Sequence, residues 1–336
     1  MTKVTKALIT GITGQDGAYI AESLLSKGYQ VFGMYRRRAT DPFDNIDHIK
    51  NKINLVSGDL CDGHSIQEVV EETNPDEVYN LGAQSFVKVS FNQPHVTRDI
   101  NFYGVDRLLH SLFRFNKKIR FYQASTSEMF GDVLETPQSE FTPFNPVSPY
   151  GEAKLAAHEL VKEYRKRGMF CCGGILFNHE SPRRGLQFVT RKITHSVAKI
   201  HLGLQDKLSL GNLNAERDWG HAIDYVEAMW LMLQQDTPDD YVIATGKKIT
   251  VRDFVELAFK KIGREIEWVG EGLDEKGYSN GQVVVDVDEK FFRPNEVNLL
   301  LGDPSKAKKE LGWEPRASLE DLVFSMVQND LTLLEK

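Results

Sequence analysis

The order of the first 130 residues constrains this chain most. Short β-branched runs alternate with helix-period segments, and the first run ends in a glycine-rich turn. The pattern predicts strands over 4–10, 29–35, 53–57, 77–81 and 119–125. Helices are expected at 18–27, 66–73 and 97–116, with Gly28 ending the first and Asn74-Pro75-Asp76 following the second. Repeated β-α units on short connections imply an α/β fold, a Rossmann-type doubly wound parallel sheet. Right-handed crossovers then line all strand C-termini along one edge, where ligands bind.

The remainder is less regular. Residues 153–167 read as a helix and 170–177 as a buried strand. Strand-like pieces at 207–210 and 241–244 separate later helices, 249–251 precedes a helix at 252–263, and 273–288 reads as a loop or hairpin. No repeat, low-complexity tract or flexible linker interrupts the 336 residues. The expected division is a dinucleotide-binding domain over 1–177, to which about 215–245 returns, and a smaller C-terminal substrate-binding lobe, mainly 178–336, interleaved with it.

Composition removes other classes. An aromatic content of 10% argues against disorder, and no stretch approaches the ~20 apolar residues of a membrane span. The N-terminal MTKVTKALITG reads as a first strand, with no cleavage site behind it. Cys61, Cys171 and Cys172 make an odd count without metal spacing, the pattern of reduced, buried thiols in a cytoplasmic protein; no metal is expected. A net charge of −7 disfavours nucleic acid as a partner but leaves room for an anionic small molecule met by clustered cations.

The first turn reads Thr10-Gly11-Ile12-Thr13-Gly14-Gln15-Asp16-Gly17, a Gly-x-x-Gly-x-x-Gly between strand and helix. Missing Cβ atoms let the backbone approach a pyrophosphate, and the helix N-terminus offers amides and a positive dipole end. Gly11, Thr13, Gly14, Gln15, Asp16 and Gly17 are therefore assigned to the cofactor. The second strand ends in Tyr35-Arg36-Arg37-Arg38, where an NAD enzyme usually carries an acidic residue. A guanidinium can pair with a 2′-phosphate that a carboxylate would repel, so Arg36 selects NADP. Asp59 and Leu60 end the third strand, where an adenine edge would sit, and Leu81, Ala83 and Ser85 follow the fourth, near the pyrophosphate and nicotinamide ribose.

In Ser148-Pro149-Tyr150-Gly151-Glu152-Ala153-Lys154, Tyr and Lys share one face at the start of a helix. An ammonium beside the phenol is expected to pull its pKa down, so that Tyr150 takes a hydroxyl proton while a nicotinamide takes hydride.

These segments, with LGAQSFVKVSF (81–91), STSEMFG (125–131), NHESPRRG (178–185), FVTRKIT (188–194), ERDWGHAIDYVEAMW (216–230) and FRPNEVNLLLGD (292–303), carry a resemblance over essentially the whole length. The chain resembles the extended short-chain dehydrogenase/reductases that act on nucleotide sugars, and within them the GDP-mannose 4,6-dehydratase family. The resemblance implies conversion of GDP-mannose to its 4-keto-6-deoxy product. Tightly bound NADP would move hydride from C4 to C6 and be recycled in each turnover, within a homo-oligomer, dimer or tetramer. Tyr150 and Lys154 would serve the oxidation, Thr126 would hydrogen-bond the C4 oxygen, and Glu128 would act as acid and base. A carboxylate after that strand suits dehydration, since a C5 proton made acidic by a C4 ketone must leave together with the C6 hydroxyl.

The resemblance also puts Asn178, Lys192, Arg217, Arg293 and Glu296 around the nucleotide sugar, Ser85 near its hexose, and His179 and Arg184 near the cofactor. A diphosphate needs cations, which Lys192, Arg217 and Arg293 supply. Two positions depart from the family pattern: 37–45 replaces a serine-rich run that binds cofactor and reaches a neighbouring subunit, and Val96 replaces a cofactor-side tyrosine. A 4,6-dehydratase of a related sugar such as a GDP-heptose, with or without reduction of its own 4-keto product, would use the same residues. A 4-epimerase would need Tyr150 and Lys154 but not Glu128, and a non-catalytic NADP-binding regulator would need none of Thr126, Glu128, Tyr150 and Lys154.

Overall fold

A computed structural model describes residues 4–40, 42–291 and 299–335. The alternating segments assemble into one parallel sheet of β1 (Lys6–Thr10), β2 (Gln30–Tyr35), β3 (Asn54–Ser57), β4 (Glu77–Asn80), β5 (Arg120–Thr126), β6 (Cys171–Leu176) and β7 (Asp240–Ile243). Their spatial order is β7-β6-β5-β4-β1-β2-β3, every pair parallel. The order reverses between β1 and β4, so a crevice opens beyond their C-terminal ends, as a doubly wound Rossmann-type sheet requires. Every residue of β4, β6 and β7 is buried, because helices cover both faces.

One face packs against α1 (Gln15–Ser26) and α6 (Ala222–Gln234), burying Ile20, Leu24, Val226 and Met229. The other packs against α2 (Gly63–Thr73), α3 (Gly104–Asn116) and α4 (Pro149–Lys166) through Ile66, Val70, Leu108, Leu112, Ala157 and Val161. At the start of α4 the Ser148 hydroxyl accepts the Gly151 amide at 3.0 Å, and Pro149 occupies a first-turn position that needs no donor.

One segment differs from expectation, and one expected as a loop or hairpin takes the second form. The helical run expected from 97 starts at Pro94 and passes through a π-helical turn, Asp99–Tyr103, before α3. The segment 273–288 resolves into a hairpin of Lys276–Ser279 and Gln282–Val287, turned by Asn280 and Gly281 at φ 52° and 75°.

The C-terminal half also builds its own core. Here α5 (Val189–His201), α7 (Val251–Lys261) and α8 (Leu319–Leu334) enclose Ile193, Val197, Phe254, Phe259, Val323 and Met326. Two small sheets complete it: Glu216–Arg217 between Ile249–Thr250 and Leu299–Leu300, and the hairpin extended by Glu267–Val269 and Leu208–Leu210. Between these pieces the chain returns to the main sheet with α6 and β7. A short parallel pair, Asn178–Glu180 with Trp219–His221, lies just beyond β6. Cys171 and Cys172 are buried thiols, but Cys61 is exposed, since it follows β3 on the open ligand edge. Among the described residues no helix is long and apolar enough to cross a membrane.

Candidate active site

The strand-to-helix turn after β1 is shaped by what its glycines lack. Gly11 sits at φ +70°, where a Cβ would lie 2.8 Å from the Gly82 amide, and a Cβ on Gly17 would overlap the Gly11 carbonyl. Helix α1 starts after Gly14 with no side chain capping its first amides. The Thr10 hydroxyl donates to Asn80 Oδ1 at 2.6 Å and accepts the amides of Leu81 and Gly82 at 3.2 and 3.0 Å, tying the ends of β1 and β4 together. From the π turn, Asn101 accepts the Gln84 amide at 2.8 Å and donates to its carbonyl at 2.9 Å. A backbone cradle with uncapped amides fits a dinucleotide pyrophosphate. Arg36 and Asp59 continue this edge past β2 and β3; Arg36 is exposed, and Leu60 is buried.

A cleft of about 280 Å³ opens beside the turn. On its sheet side it is lined by Asp16, Leu81, Ala83, Ser85, Thr126, Glu128, Tyr150 and Lys154. On the other side stand Asn178, His179, Arg184 and Lys192. Thr126 ends β5 and its hydroxyl accepts the Glu128 amide at 3.3 Å, so a single turn brings threonine and carboxylate to the same wall. The start of α4 closes on that turn, where a Cβ on Gly151 would lie 2.6 Å from the Glu128 carbonyl.

The protonation of the Tyr-Lys pair differs from expectation. Lys154 Nζ donates to the Ala124 carbonyl at 2.9 Å and lies 5.9 Å from the centre of the Tyr150 ring. Burial therefore dominates both groups. It pushes the Tyr150 phenol up to about 12, against a hydrogen bond with Thr126, and brings the Lys154 ammonium down to about 8.

Across the cleft, His179 Nδ1 lies 2.8 Å from the Phe177 carbonyl and Nε2 lies 2.8 Å from Asp16 Oδ2. Both partners only accept, so the ring is held as an imidazolium, stacked on Tyr225 at 4.6 Å. Burial opposes that charge, but Asp16 outweighs it and raises the His179 pKa. Burial likewise opposes ionisation of Asp16, which the His179 charge and hydrogen bond still hold at about 2. Arg184 Nε reaches Glu180 Oε2 at 2.9 Å and lies over the Phe188 ring at 3.6 Å.

Lys192 donates to the Ser209 carbonyl at 2.5 Å and lies 3.1 Å from the centre of the Phe291 ring; burial, with Lys290 nearby, lowers its pKa to about 8. Arg217 is buried in its short strand, outside the lining of this cleft, and donates to the Glu216 carbonyl at 2.9 Å. Arg293 and Glu296 lie outside the described residues. Sequence reasoning missed Glu180 and Phe188, which also line the cleft. The signal for Glu180 was an acid four residues before Arg184, in the motif that already carried Asn178 and His179.

A family model described as GDP-mannose 4,6 dehydratase matches residues 8–326. The chain is 53% identical to the GDP-mannose 4,6 dehydratase 2 of Caenorhabditis elegans, over 98% of this chain and 90% of that one. It is equally 53% identical to the GDP-mannose 4,6-dehydratase of Yersinia enterocolitica, over 97% and 94%. In three dimensions it resembles the dTDP-glucose 4,6-dehydratase of Bacillus anthracis, solved in complex with NAD, with a TM-score of 0.82, 21% identity and coverage of 99% of this chain and 98% of that one.

Proposed function

The chain belongs to the GDP-mannose 4,6-dehydratase family, and from that premise we propose how its own residues convert GDP-D-mannose to GDP-4-keto-6-deoxy-D-mannose and water. When bound, NADP supplies the acceptor for the C4 hydride, a positive charge that favours a phenolate, and the donor that returns the hydride to C6. The backbone amides of the turn at Gly11, Thr13, Gly14, Gln15, Asp16 and Gly17 would hold its pyrophosphate, with Leu81, Ala83 and Ser85 alongside. Asp59 and Leu60 meet the adenine, Arg36 the 2′-phosphate, and His179 and Arg184 complete the enclosure.

Tyr150 accepts the C4 hydroxyl proton. Thr126 orients the C4 oxygen, and the Lys154 ammonium lowers the cost of the phenolate. Glu128 then removes the C5 proton, acidified by the new ketone, and passes it to the C6 hydroxyl as water departs; when C6 is reduced, the proton taken up by Tyr150 balances the reprotonation of C5. Asn178, Lys192, Arg217, Arg293 and Glu296 hold the nucleotide sugar. No net oxidation results. The free thiols suit a reducing cytoplasm, and the assembly is read as a homo-oligomer, dimer or tetramer.

One observation carries this reading: Thr126, Glu128, Tyr150 and Lys154 line the same cleft. Oxidation and reduction alone use the Tyr-Lys pair; the added carboxylate is what elimination needs. Incubation with GDP-mannose and a panel of other nucleotide sugars, read by mass spectrometry, tests it. Loss of one water from GDP-mannose without added reductant is expected. Turnover of another sugar alone, or of none, contradicts it.

A further inference from the structure

One buried titratable side chain of α4 takes no part in the reaction just described. Tyr150, Lys154 and His158 recur at every fourth position and share a face of the helix. Where Lys154 binds the Ala124 carbonyl, His158, one turn later, places Nδ1 2.9 Å from the hydroxyl oxygen of Ser125. His158 is 1% exposed and Ser125 3%. Behind the ring, His158 Nε2 faces Asp240 Oδ2 at 3.7 Å, and Asp240 is itself fixed by Arg165 and by the Gly173 amide at 2.9 Å. At 3.7 Å the carboxylate does not hydrogen-bond the ring, but its charge favours the tautomer with the proton on Nε2, which leaves Nδ1 to accept the Ser125 hydroxyl. The pocket is shaped for this ring: a Cβ on Gly173 would lie 2.8 Å from the imidazole and 2.7 Å from Asp240 Oδ1. Burial lowers the His158 pKa to about 4, so the ring is a neutral acceptor at neutral pH.

Ala124, Ser125 and Thr126 are the last three residues of β5. Lys154 grips the first and His158 the second, so two successive turns of α4 fix the strand end that presents Thr126 and leads into Glu128. We propose that His158, through its hydrogen bond to Ser125, is a positioning residue that sets the spacing of Thr126 and Glu128 from Tyr150. The inference rests on the roles given to those three residues above. It differs from a packing role because it requires the bond, and not merely the ring, to be kept.

The test compares Ser125→Ala, His158→Phe, their double variant and His158→Gln in the full-length protein. Misplacement by ~1 Å can cost ~10²-fold; each of the first two changes is expected to lower kcat roughly tenfold with KM for GDP-mannose within about twofold. The double variant falls no further than either single one, because both remove the same bond. His158→Gln returns an acceptor to Ser125 and recovers most of kcat. An unchanged kcat in Ser125→Ala, or losses that multiply in the double variant, overturns the inference. If His158→Phe does not fold, Ser125→Ala and His158→Gln read the same bond. Failure of the wild-type protein to turn over GDP-mannose would overturn the functional reading instead, so the two failures are distinct.

Discussion

In the proposed mechanism Glu128 is what separates dehydration from plain oxidation, and its substitution is the sharpest test at the residue scale. In Glu128→Gln, product formation is expected to fall by ~10²–10⁴-fold, while reduced-nicotinamide absorbance still develops on the enzyme when substrate is added. Full activity would remove Glu128 from the reaction. Lys154 carries a second expectation. Burial brings its pKa from 10.5 to about 8, so the native state loses this proton near pH 8 and the unfolded chain only near 10.5. The cost of the buried charge is therefore whole below pH 8 and is relieved as pH rises toward 10.5. Lys154→Met is expected to abolish turnover yet raise the melting temperature at pH 7 by a few degrees, a gain that vanishes near pH 10.5; a lower melting temperature at pH 7 contradicts this. The spacing of Tyr150 and Lys154 was legible because a helix dictates it. Their protonation was not, because the burial that governs it comes from β5 and the cleft wall, which no local pattern encodes.

Among the elements, the turn between β1 and α1 was the most legible, since its glycines stand where a Cβ would strike backbone. Gly17→Ala forces a methyl into the Gly11 carbonyl, and overpacking of this kind costs about 1–3 kcal/mol. It is expected to lower the urea midpoint and weaken NADP binding together; an unaltered affinity by titration calorimetry would contradict it. At the end of β2, Arg36→Ala is expected to weaken NADP by roughly tenfold or more and leave NAD nearly unchanged, as loss of charge-assisted hydrogen bonds predicts. Equal effects on both cofactors would assign Arg36 elsewhere. The π turn at Asp99–Tyr103 was not legible: its apolar spacing is still helical, and only the grip of Asn101 on Gln84 reveals the shifted register. The hairpin within 273–288 was half legible, from the several Gly and Asp residues of that segment.

Across the whole molecule, the contacts that join distant segments were the least visible in sequence. Asp330 on α8 is fully buried, accepts Arg191 Nε at 2.8 and 3.1 Å and the Thr194 hydroxyl at 2.7 Å, and pairs with Arg191 Nη2 at 2.6 Å. The same guanidinium holds the carbonyls of Pro182 and Arg184 at 2.5 and 3.0 Å, so the last helix supports the segment that carries Arg184 to the cleft. Removing one partner of a buried pair costs about 3–5 kcal/mol; Asp330→Ala should lose that much in urea unfolding, and an unchanged midpoint would show the pair to be idle. A separation of 139 residues hides this pair from any local pattern. The net charge of −7 hid as much, since it averages over the cations at the cleft. The central claim is that one hydride leaves C4 and returns to C6 of the same sugar. GDP-mannose deuterated at C4, incubated without added reductant, measures this directly. The label should appear at C6 of a product one water lighter; a dehydrated product that has lost the label to solvent, or a labelled sugar that keeps its C6 hydroxyl, would contradict the account.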